Sequence, residues 1–300
     1  MGAHRGRYAP SPTGAIHLGN ARTALLAWLD ARHAGDSFVM RVEDLDRARI
    51  PEGAEARLLE DLRWLGLDWD EGPDVGGPHG PYRQSERTAL YDGALEGLLE
   101  AGQAFLCACS RADVARAASA PHAEDDEGPR YPGTCRGLPR EEVEARAAAL
   151  GRRPSVRFRG VDDFVLRRAD GTASYQLAVV VDDLAMGVQR VVRGADLLGS
   201  TARQVALYEA FGKPAPTFVH VPLVLAPGGE RLAKRTRPVS IADLRARGVS
   251  PERVVGALAA SAGLCPEGVL LAPGQLKDAF DLALVSQRPV ELDGAALVVG

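Results

Sequence analysis

The first twenty residues combine a strand-like start, a turn rich in proline and glycine, and the beginning of a long helix. Residues 7–20 read Arg-Tyr-Ala-Pro-Ser-Pro-Thr-Gly-Ala-Ile-His-Leu-Gly-Asn, and apolar side chains then recur at helical spacing over 18–34. Unpaired N–H groups and the helix dipole attract anions to a helix N-terminus. His17 lies at this end and can hydrogen-bond a phosphate, while Gly14 and Gly19 allow close approach to the backbone. The stretch therefore predicts a phosphate site built on a strand, a turn and a helix.

The alternation of strand and helix continues along the chain. We predict strands over 37–43 and 219–225 and helices over 52–65 and 87–101. This order favours a parallel Rossmann-type sheet. The chain has no Gly-x-Gly-x-x-Gly or P-loop pattern, which argues against the common dinucleotide-binding and NTPase versions of that fold.

Three acidic residues, Glu43, Asp44 and Asp46, lie at and just beyond the end of the strand predicted over 37–43. Carboxylates at the carboxyl end of a parallel strand are well placed to bind a ligand. They also fit a solvated turn whose acids cap a helix, and the residues alone favour this second interpretation.

The cysteines indicate a metal site. Cys107, Cys109 and Cys135 are clustered, and a Cys-x-Cys pair with a third cysteine beyond a loop is a reasonable zinc arrangement. The set is one ligand short, and His122 is a candidate for the fourth on chemical grounds. Three cysteines without metal are the alternative. Cys265 stands apart and is most simply a small buried apolar residue.

Length and charge set broad limits. The chain has 300 residues, enough for two or three packed lobes. A formal net charge of −4 neither favours a nucleic-acid binder nor excludes one, because a local basic patch suffices. No signal peptide and no apolar run of membrane-spanning length are recognisable, so we expect a cytoplasmic protein with no membrane partner and no disulfides.

The opening run followed by His-Leu-Gly-Asn resembles the signature of the glutamyl branch of the class I aminoacyl-tRNA synthetases. His-Leu-Gly-Asn alone is weak evidence, but its position after Pro-Ser-Pro-Thr-Gly makes it much stronger. Members of that family activate glutamate with ATP and Mg²⁺. The run Arg-Val-Glu-Asp-Leu-Asp resembles a family segment whose glutamate receives the amino group of the substrate, and this role falls on Glu43.

The resemblance also implies roles for other residues, since Tyr175 and Arg193 lie in segments similar to those that hold glutamate. The expected glutamate-binding residues are Arg7, Ala9, Ser11, Glu43, Tyr175 and Arg193. The expected ATP-binding residues are Pro12, Gly14, His17, Gly19, Asn20 and Lys234. His17 and Lys234 are the expected catalytic residues. These charges are complementary to a glutamate substrate, since arginines bind its two carboxylates and a glutamate side chain binds its ammonium group.

The lysine loop departs from the family pattern. The family reads Lys-Leu-Ser-Lys, and its second lysine stabilises the leaving pyrophosphate, a place that Lys234 takes here. Arg231 keeps the positive charge of the first lysine, but Ala233 loses the serine hydroxyl, which bears on catalytic efficiency. Without the rest of the signature, the loop would fit a basic surface segment equally well.

A short branch of the family, the glutamyl-Q tRNA(Asp) synthetases, has Cys-x-Cys and then Tyr-x-x-x-Cys, with tyrosine as the fourth zinc ligand. Tyr131 and Cys135 match that spacing. The resemblance therefore implies one structural Zn²⁺ per chain, held by Cys107, Cys109, Tyr131 and Cys135, with His122 as the alternative ligand.

The resemblance covers nearly the whole chain and implies a class I synthetase fold. We expect an α/β protein whose Rossmann-type parallel sheet is split by a zinc-bearing α+β insertion, with a small C-terminal helical part and no anticodon-binding domain. The expected boundaries are 1–101 for the first half of the catalytic domain, 102–177 for the insertion, 178–238 for the second half with the lysine loop, and 239–300 for the helical part. We expect a monomer.

The expected function is ATP-dependent activation of L-glutamate and its transfer to the queuosine base in the anticodon of tRNA(Asp). Three alternatives remain at this point. A truncated glutamyl-tRNA synthetase would charge a tRNA 3′ end, and a nucleotidyltransferase of the same superfold would use another acid, although the glutamate-binding set argues against it. An inactive ATP- or RNA-binding paralogue is compatible with the altered lysine loop.

Overall fold

The computed structural model describes residues 4–117, 131–229 and 239–299, which form two compact units. The first unit comprises Met1–Glu86, Met186–Leu198 and Pro216–Gly300, and the second comprises Arg87–Ala185 and Gly199–Ala215. The strands are β1 (Arg5–Tyr8), β2 (Ser37–Met40), β3 (Ala104–Cys107), β4 (Ser155–Phe158), β5 (Val165–Arg167), β6 (Arg190–Gly194), β7 (Thr217–Val221), β8 (Val224–Leu225) and β9 (Val290–Glu291). The helices are α1 (Leu18–Ala34), α2 (Ala54–Trp64), α3 (Thr88–Glu100), α4 (Arg111–Ala117), α5 (Arg140–Ala149), α6 (Tyr175–Ala185), α7 (Thr201–Ala210), α8 (Ile241–Ala246), α9 (Pro251–Ser261), α10 (Pro273–Leu276) and α11 (Ala296–Val299).

Small parallel sheets form the centre of the first unit. β1 pairs with β2 and β6 pairs with β7, both in parallel. The backbone N–H of Gln189 donates to the carbonyl of Arg5 over 3.0 Å, so the start of β6 lies beside β1. The predicted mixed α/β fold with parallel strands is thus confirmed.

Helix α1 is the main core element of the first unit. It is buried on most of its surface, because its apolar residues pack into one cluster with β1, β2, α2, α8 and α9. Its C-terminus is set by Gly35, whose φ of 71° is a left-handed conformation that glycine adopts readily. Close packing on β1 depends on Gly6, since a Cβ there would lie 3.1 Å from the Cβ of Ala31.

Two predicted strands are shorter in the structure. The strand predicted over 37–43 ends at Met40, although Val42 still forms an isolated parallel bridge with Arg83. The strand predicted over 219–225 is divided into β7 and β8 by Pro222, which has no N–H group to continue a ladder.

The second unit contains the antiparallel sheet β3–β4–β5 and helices α3 to α7. A buried ion pair links two of these helices, because Nε of Arg87, just before α3, donates to Oδ1 of Asp182 on α6 over 2.6 Å. The hydroxyl of Tyr91 lies 3.0 Å from both oxygens of Asp182. The predicted insertion, 102–177, lies within this unit, and the predicted domain boundaries stay predictions.

None of the helices within the described ranges is long and apolar enough to cross a membrane.

Candidate active site and metal centre

His17 caps the N-terminus of α1, as the phosphate-site interpretation requires. Its Nδ1 accepts a hydrogen bond from the backbone N–H of Asn20 over 3.3 Å, so the proton of the neutral ring is on Nε2. Burial lowers the pKa of His17, while the charge of Asp196 acts in the opposite direction. The side chain therefore presents an N–H donor, in its neutral form, at the mouth of the helix.

Pro12 and Gly14 lie in the turn before α1, and Gly19 and Asn20 lie in its first turn, so these four predicted ATP-binding residues are near this end. Ser11, Gly14 and Asn20 are exposed, whereas Pro12 is buried. Gly19 has a steric role, because a Cβ there would lie 3.1 Å from Cε1 and 3.2 Å from Nδ1 of His17. A side chain at position 19 would therefore push against the imidazole.

Glu43 lies just beyond the carboxyl end of β2, against the turn. Its backbone N–H donates to the carbonyl of Pro10 over 3.0 Å, which brings it beside the run that contains Ala9 and Ser11. Its carboxylate is 3.3 Å from Nη2 of Arg41, a fully buried arginine. The structure thus brings a buried carboxylate to the segment in which the ligand residues were predicted.

The two predicted substrate-binding arginines lie on neighbouring strands of the first unit. Arg7 is buried on β1 and Arg193 is buried on β6. Nε of Arg193 donates to Nε2 of His220 over 3.2 Å, and its guanidinium lies 4.5 Å from the centroid of the Phe218 ring. Burial, and then the charge of Arg193, lower the pKa of His220, so its ring accepts this hydrogen bond in the neutral form.

Tyr175 belongs to the second unit, where it is half-buried at the first position of α6. The next residue on this helix, Gln176, forms hydrogen bonds with Ser200 and with Gln204 of α7. Gln176 donates to the hydroxyl of Ser200 over 2.9 Å and accepts from Gln204 over 3.0 Å. These bonds connect the start of α6 with the start of α7.

The three clustered cysteines converge in the second unit. The sulfur atoms of Cys107, Cys109 and Cys135 all lie within 4.8 Å of one another. Cys109 and Cys135 have their sulfurs 3.7 Å apart. Thiolates bound to one tetrahedral zinc at about 2.3 Å lie about 3.8 Å apart, so this spacing fits a metal centre.

Tyr131 completes the set around the thiols. Its hydroxyl oxygen is 3.4 Å from the sulfur of Cys107 and accepts the backbone N–H of Cys135 over 2.7 Å. With Zn–S and Zn–O bonds of about 2.3 and 2.0 Å, a tetrahedral site would place sulfur and oxygen about 3.5 Å apart. The donor set of three sulfurs and one oxygen therefore fits a closed four-coordinate metal.

The thiol pKa values differ within the cluster. Burial, followed by the charge of Cys107, raises the pKa of Cys109 to about 12. Burial also acts on Cys107, but hydrogen bonds from Tyr131 and Arg157 outweigh it and lower the pKa of that thiol. Burial, and then the hydrogen bond to Cys107, raise the pKa of Tyr131.

Four residues named in the sequence-based predictions lie outside the described residues. They are His122, Arg231, Ala233 and Lys234. The roles of Lys234 in catalysis and of His122 as an alternative metal ligand therefore stay predictions.

Sequence reasoning missed three side chains that contact the predicted site residues. Arg41 reaches Glu43, His220 reaches Arg193, and Arg157 stacks on Tyr131 with its Cζ 3.9 Å from the ring centroid. Only Arg41 carried a signal, since it begins the Arg-Val-Glu-Asp-Leu-Asp run.

A cavity of about 410 Å³ opens next to the predicted glutamate-binding segment of the first unit. Pro12 from the turn and Asp44, the residue after Glu43, contribute to its wall. Arg47 and Ile50 line it as well. The first unit thus has space for a ligand beside the predicted site residues.

The family model and the similar known proteins point to the same protein family. The sequence model of the class I tRNA synthetases (E and Q), catalytic domain, matches residues 4–160 and 153–270. A glutamyl-Q tRNA(Asp) synthetase of Symbiobacterium thermophilum is 54% identical over 96% of this chain and 95% of that protein. Another, from Nitratidesulfovibrio vulgaris, is 49% identical over 95% of this chain and 94% of that protein.

A solved structure supports the same protein family. The crystal structure of a glutamate-tRNA synthetase from Elizabethkingia anophelis superposes with a TM-score of 0.82 at 31% identity, covering 99% of this chain and 69% of that one. The resemblance to glutamyl-Q tRNA(Asp) synthetases is therefore confirmed along nearly all of the chain, which belongs to the class I tRNA synthetases (E and Q).

Proposed function

We propose that this protein activates L-glutamate with ATP and transfers it to the queuosine base in the anticodon of tRNA(Asp). The observation that carries the proposal is the 54% identity to a glutamyl-Q tRNA(Asp) synthetase across 95% of that protein. The protein is accordingly a ligase of the aminoacyl-tRNA synthetase type, and we expect it to act in the cytoplasm.

In the first step, the α-carboxylate of glutamate attacks the α-phosphorus of ATP, and pyrophosphate leaves. Such a step depends on positioning and electrostatics rather than on a covalent enzyme nucleophile. His17 would donate its Nε2–H to a phosphate oxygen, because Nδ1 is occupied by the N–H of Asn20. Lys234 would neutralise charge on the leaving pyrophosphate. Mg²⁺ bound with ATP would supply further charge neutralisation.

The charged groups of glutamate define the rest of the site. Arg7 and Arg193 would bind its carboxylates, and Glu43 would bind its ammonium group. Phe218 and His220 would keep the Arg193 guanidinium in one orientation, since they contact it at 4.5 and 3.2 Å. Tyr175 would complete the glutamate-binding set.

In the second step, a hydroxyl of the queuosine cyclopentene diol would attack the activated carbonyl of glutamate. An ester bond forms and AMP leaves, so no further co-reactant is needed. The cavity beside Asp44 adjoins the glutamate-binding segment and offers room for an acceptor group.

The metal centre would be structural. Three thiolates and the oxygen of Tyr131 leave no coordination position for water or substrate, which is the pattern of closed zinc sites. Bound zinc would hold β3 and the segment around Cys135 together without entering the reaction.

Glutamate-dependent exchange between ATP and pyrophosphate tests the activation step. We expect exchange that requires glutamate, that is weaker with glutamine or aspartate, and that is lost in Lys234→Ala. A pure, folded protein without exchange would instead support an inactive binding paralogue.

Mapping of transferred glutamate tests the acceptor. Labelled glutamate is incubated with ATP, the protein and tRNA(Asp) with or without queuosine, and the RNA is then digested with nuclease. Label on the anticodon fragment of queuosine-containing tRNA(Asp) is the expected result. Label on the 3′-terminal adenosine of tRNA(Glu) would show instead that the protein charges a tRNA end.

A further inference from the structure

Arg157 is a buried arginine at the centre of the three-stranded sheet. It lies on β4, opposite Phe105 of β3, and only 8% of it is exposed. The same two strands bring Ser155 opposite Cys107. Arg157 is therefore two residues along the sheet from a predicted metal ligand.

The guanidinium of Arg157 lies against a predicted ligand of the metal centre. Its Cζ lies 3.9 Å from the centroid of the Tyr131 ring, whose hydroxyl oxygen is 3.4 Å from the sulfur of Cys107. Nη1 donates to the backbone carbonyl of Asp163 over 3.0 Å. The arginine thus stacks on one predicted ligand, Tyr131, whose hydroxyl in turn contacts a second, Cys107.

No carboxylate offsets the charge of Arg157 in the described part of the chain. The side chain of Asp163 is instead engaged by Arg136 at 3.0 Å and by the N–H of Gly160 at 3.2 Å. Nε of Arg157 is buried without a hydrogen-bond partner among the described residues. Removing a guanidinium from water without a counter-charge is costly, so a negative charge is expected nearby.

The predicted metal centre supplies that charge. Three thiolates around one Zn²⁺ carry one net negative charge, and Arg157 would lie beside this charge through its contact with Tyr131. We propose that Arg157 is the counter-charge of the metal centre and that its stacking holds the Tyr131 ring in position to offer its oxygen. A cation over an aromatic face is attracted by the ring, and outer groups that orient metal ligands commonly tune metal affinity. This inference rests on the zinc centre proposed above.

Zinc affinity of Arg157→Met is the direct test. Methionine keeps an unbranched apolar stem and removes the charge, so we expect the zinc dissociation constant to rise by about 10–100-fold. The constant is measured by competition with a chromogenic chelator. Arg167→Met is the matched control, because Arg167 lies on the adjacent strand β5 with its side chain 34% exposed and away from the ligands. Its zinc affinity should stay unchanged.

Two further variants separate charge from packing. Arg157→Lys retains the positive charge and should recover most of the lost affinity. Arg157→Gln retains a donor for the Asp163 carbonyl without the charge, and it should bind zinc as weakly as Arg157→Met. The glutamine variant also carries the test if the methionine variant does not fold. Circular dichroism of each variant in excess zinc, compared with the unaltered chain, establishes that it is folded.

The outcomes distinguish this inference from the zinc proposal itself. An unaltered chain that binds no zinc would refute the metal centre. If the unaltered chain binds zinc and Arg157→Gln binds it with the same affinity, the role of Arg157 is overturned while the metal centre stands. The same holds if Arg167→Met weakens zinc binding as much as the Arg157 variants do. A lysine variant as weak as the glutamine variant would overturn the counter-charge.

Discussion

At the scale of single residues, His17 combines a structural role with a proposed chemical role in one imidazole. The ring caps α1 through Nδ1 and leaves Nε2–H for a ligand. Because burial lowers the pKa of His17, this arrangement persists to lower pH than for an exposed histidine. The cap and the proposed phosphate donor therefore depend on the same neutral form.

This pKa shift predicts a pH dependence of stability. The unfolded chain binds a proton at position 17 at higher pH than the folded chain, so the free energy of unfolding should rise with pH through the window below the usual value of 6.5. The contribution of His17 to the free energy of unfolding should be constant above pH 6.5. Replacing His17 with Gln should reduce the slope, measured by urea unfolding between about pH 5 and 7.5. An NMR titration of His17 above 6.5 would contradict the prediction.

Gly19 offers a second test at the residue scale. In Gly19→Ala the new methyl group would lie 3.1 Å from the His17 ring, so the imidazole must shift. We expect slower ATP–pyrophosphate exchange, by roughly tenfold, because small displacements of a positioned group are costly in catalysis. Gly97→Ala on α3 is the control, since a Cβ there meets no atom within 4 Å. Equal exchange rates in both variants would show that Gly19 is not needed to position His17.

At the scale of elements, the buried pair Arg87–Asp182 joins the start of α3 to α6. Both side chains are almost completely buried, at 1% and 0% exposure. Asp182→Asn would leave a buried guanidinium without its carboxylate and should lower the free energy of unfolding by about 3–5 kcal/mol. Asp92→Asn is the comparison, because Asp92 is half-exposed and 3.8 Å from Arg167, and it should cost less than about 1 kcal/mol.

The measurement is chemical denaturation followed by far-ultraviolet circular dichroism. Tyr91→Phe should fall between the two variants, since it removes one hydroxyl that contacts Asp182 and leaves the charges paired. A loss for Asp182→Asn no larger than for Asp92→Asn would mean that the buried pair is not a stabilising link.

Elements were predicted well where local signals are strong. α1 begins and ends where the sequence predicts, because His17 and Gly35 provide the two caps. The prediction of one continuous strand over 219–225 was wrong, because Pro222 interrupts hydrogen bonding inside an apolar run. The apolar pattern alone does not show that Pro222 lacks a backbone N–H group.

The candidate site was predictable only in part. Motif resemblance selected Glu43, and cysteine spacing selected the three clustered cysteines, whose sulfurs the structure then brings together. It could not find Arg157, because alternation along Ser-Val-Arg-Phe-Arg predicts a polar outward position, whereas all four residues of β4 are buried. His220 was missed for a similar reason, since its role comes from the strand opposite it, which carries Arg193.

At the scale of the whole molecule, the two compact units should respond differently to metal removal. The predicted ligands all belong to the second unit, whereas the parallel sheets belong to the first. Chelation should therefore reduce hydrogen-exchange protection in β3 and β4 while protection in β1, β2, β6 and β7 is kept. Hydrogen exchange with mass spectrometry gives this readout segment by segment.

Two cysteine variants provide the control for metal removal. Cys109→Ser should lose zinc and reproduce the effect of the chelator. Cys265→Ser should keep about one zinc per chain, because Cys265 is not part of the three-sulfur cluster. Retention of zinc by Cys109→Ser would contradict the assignment of the ligands.

The cap of α1 also limits how this protein can evolve. The residues that cap helices best are serine, threonine, asparagine and aspartate, and the chain uses serine for α8 and α9. Position 17 carries histidine instead, so a single substitution to one of those residues would favour the helix and remove the imidazole. Selection for heat resistance and selection for turnover thus oppose each other at this position. Lineages that move to hotter environments should keep His17 and gain stability elsewhere in the chain.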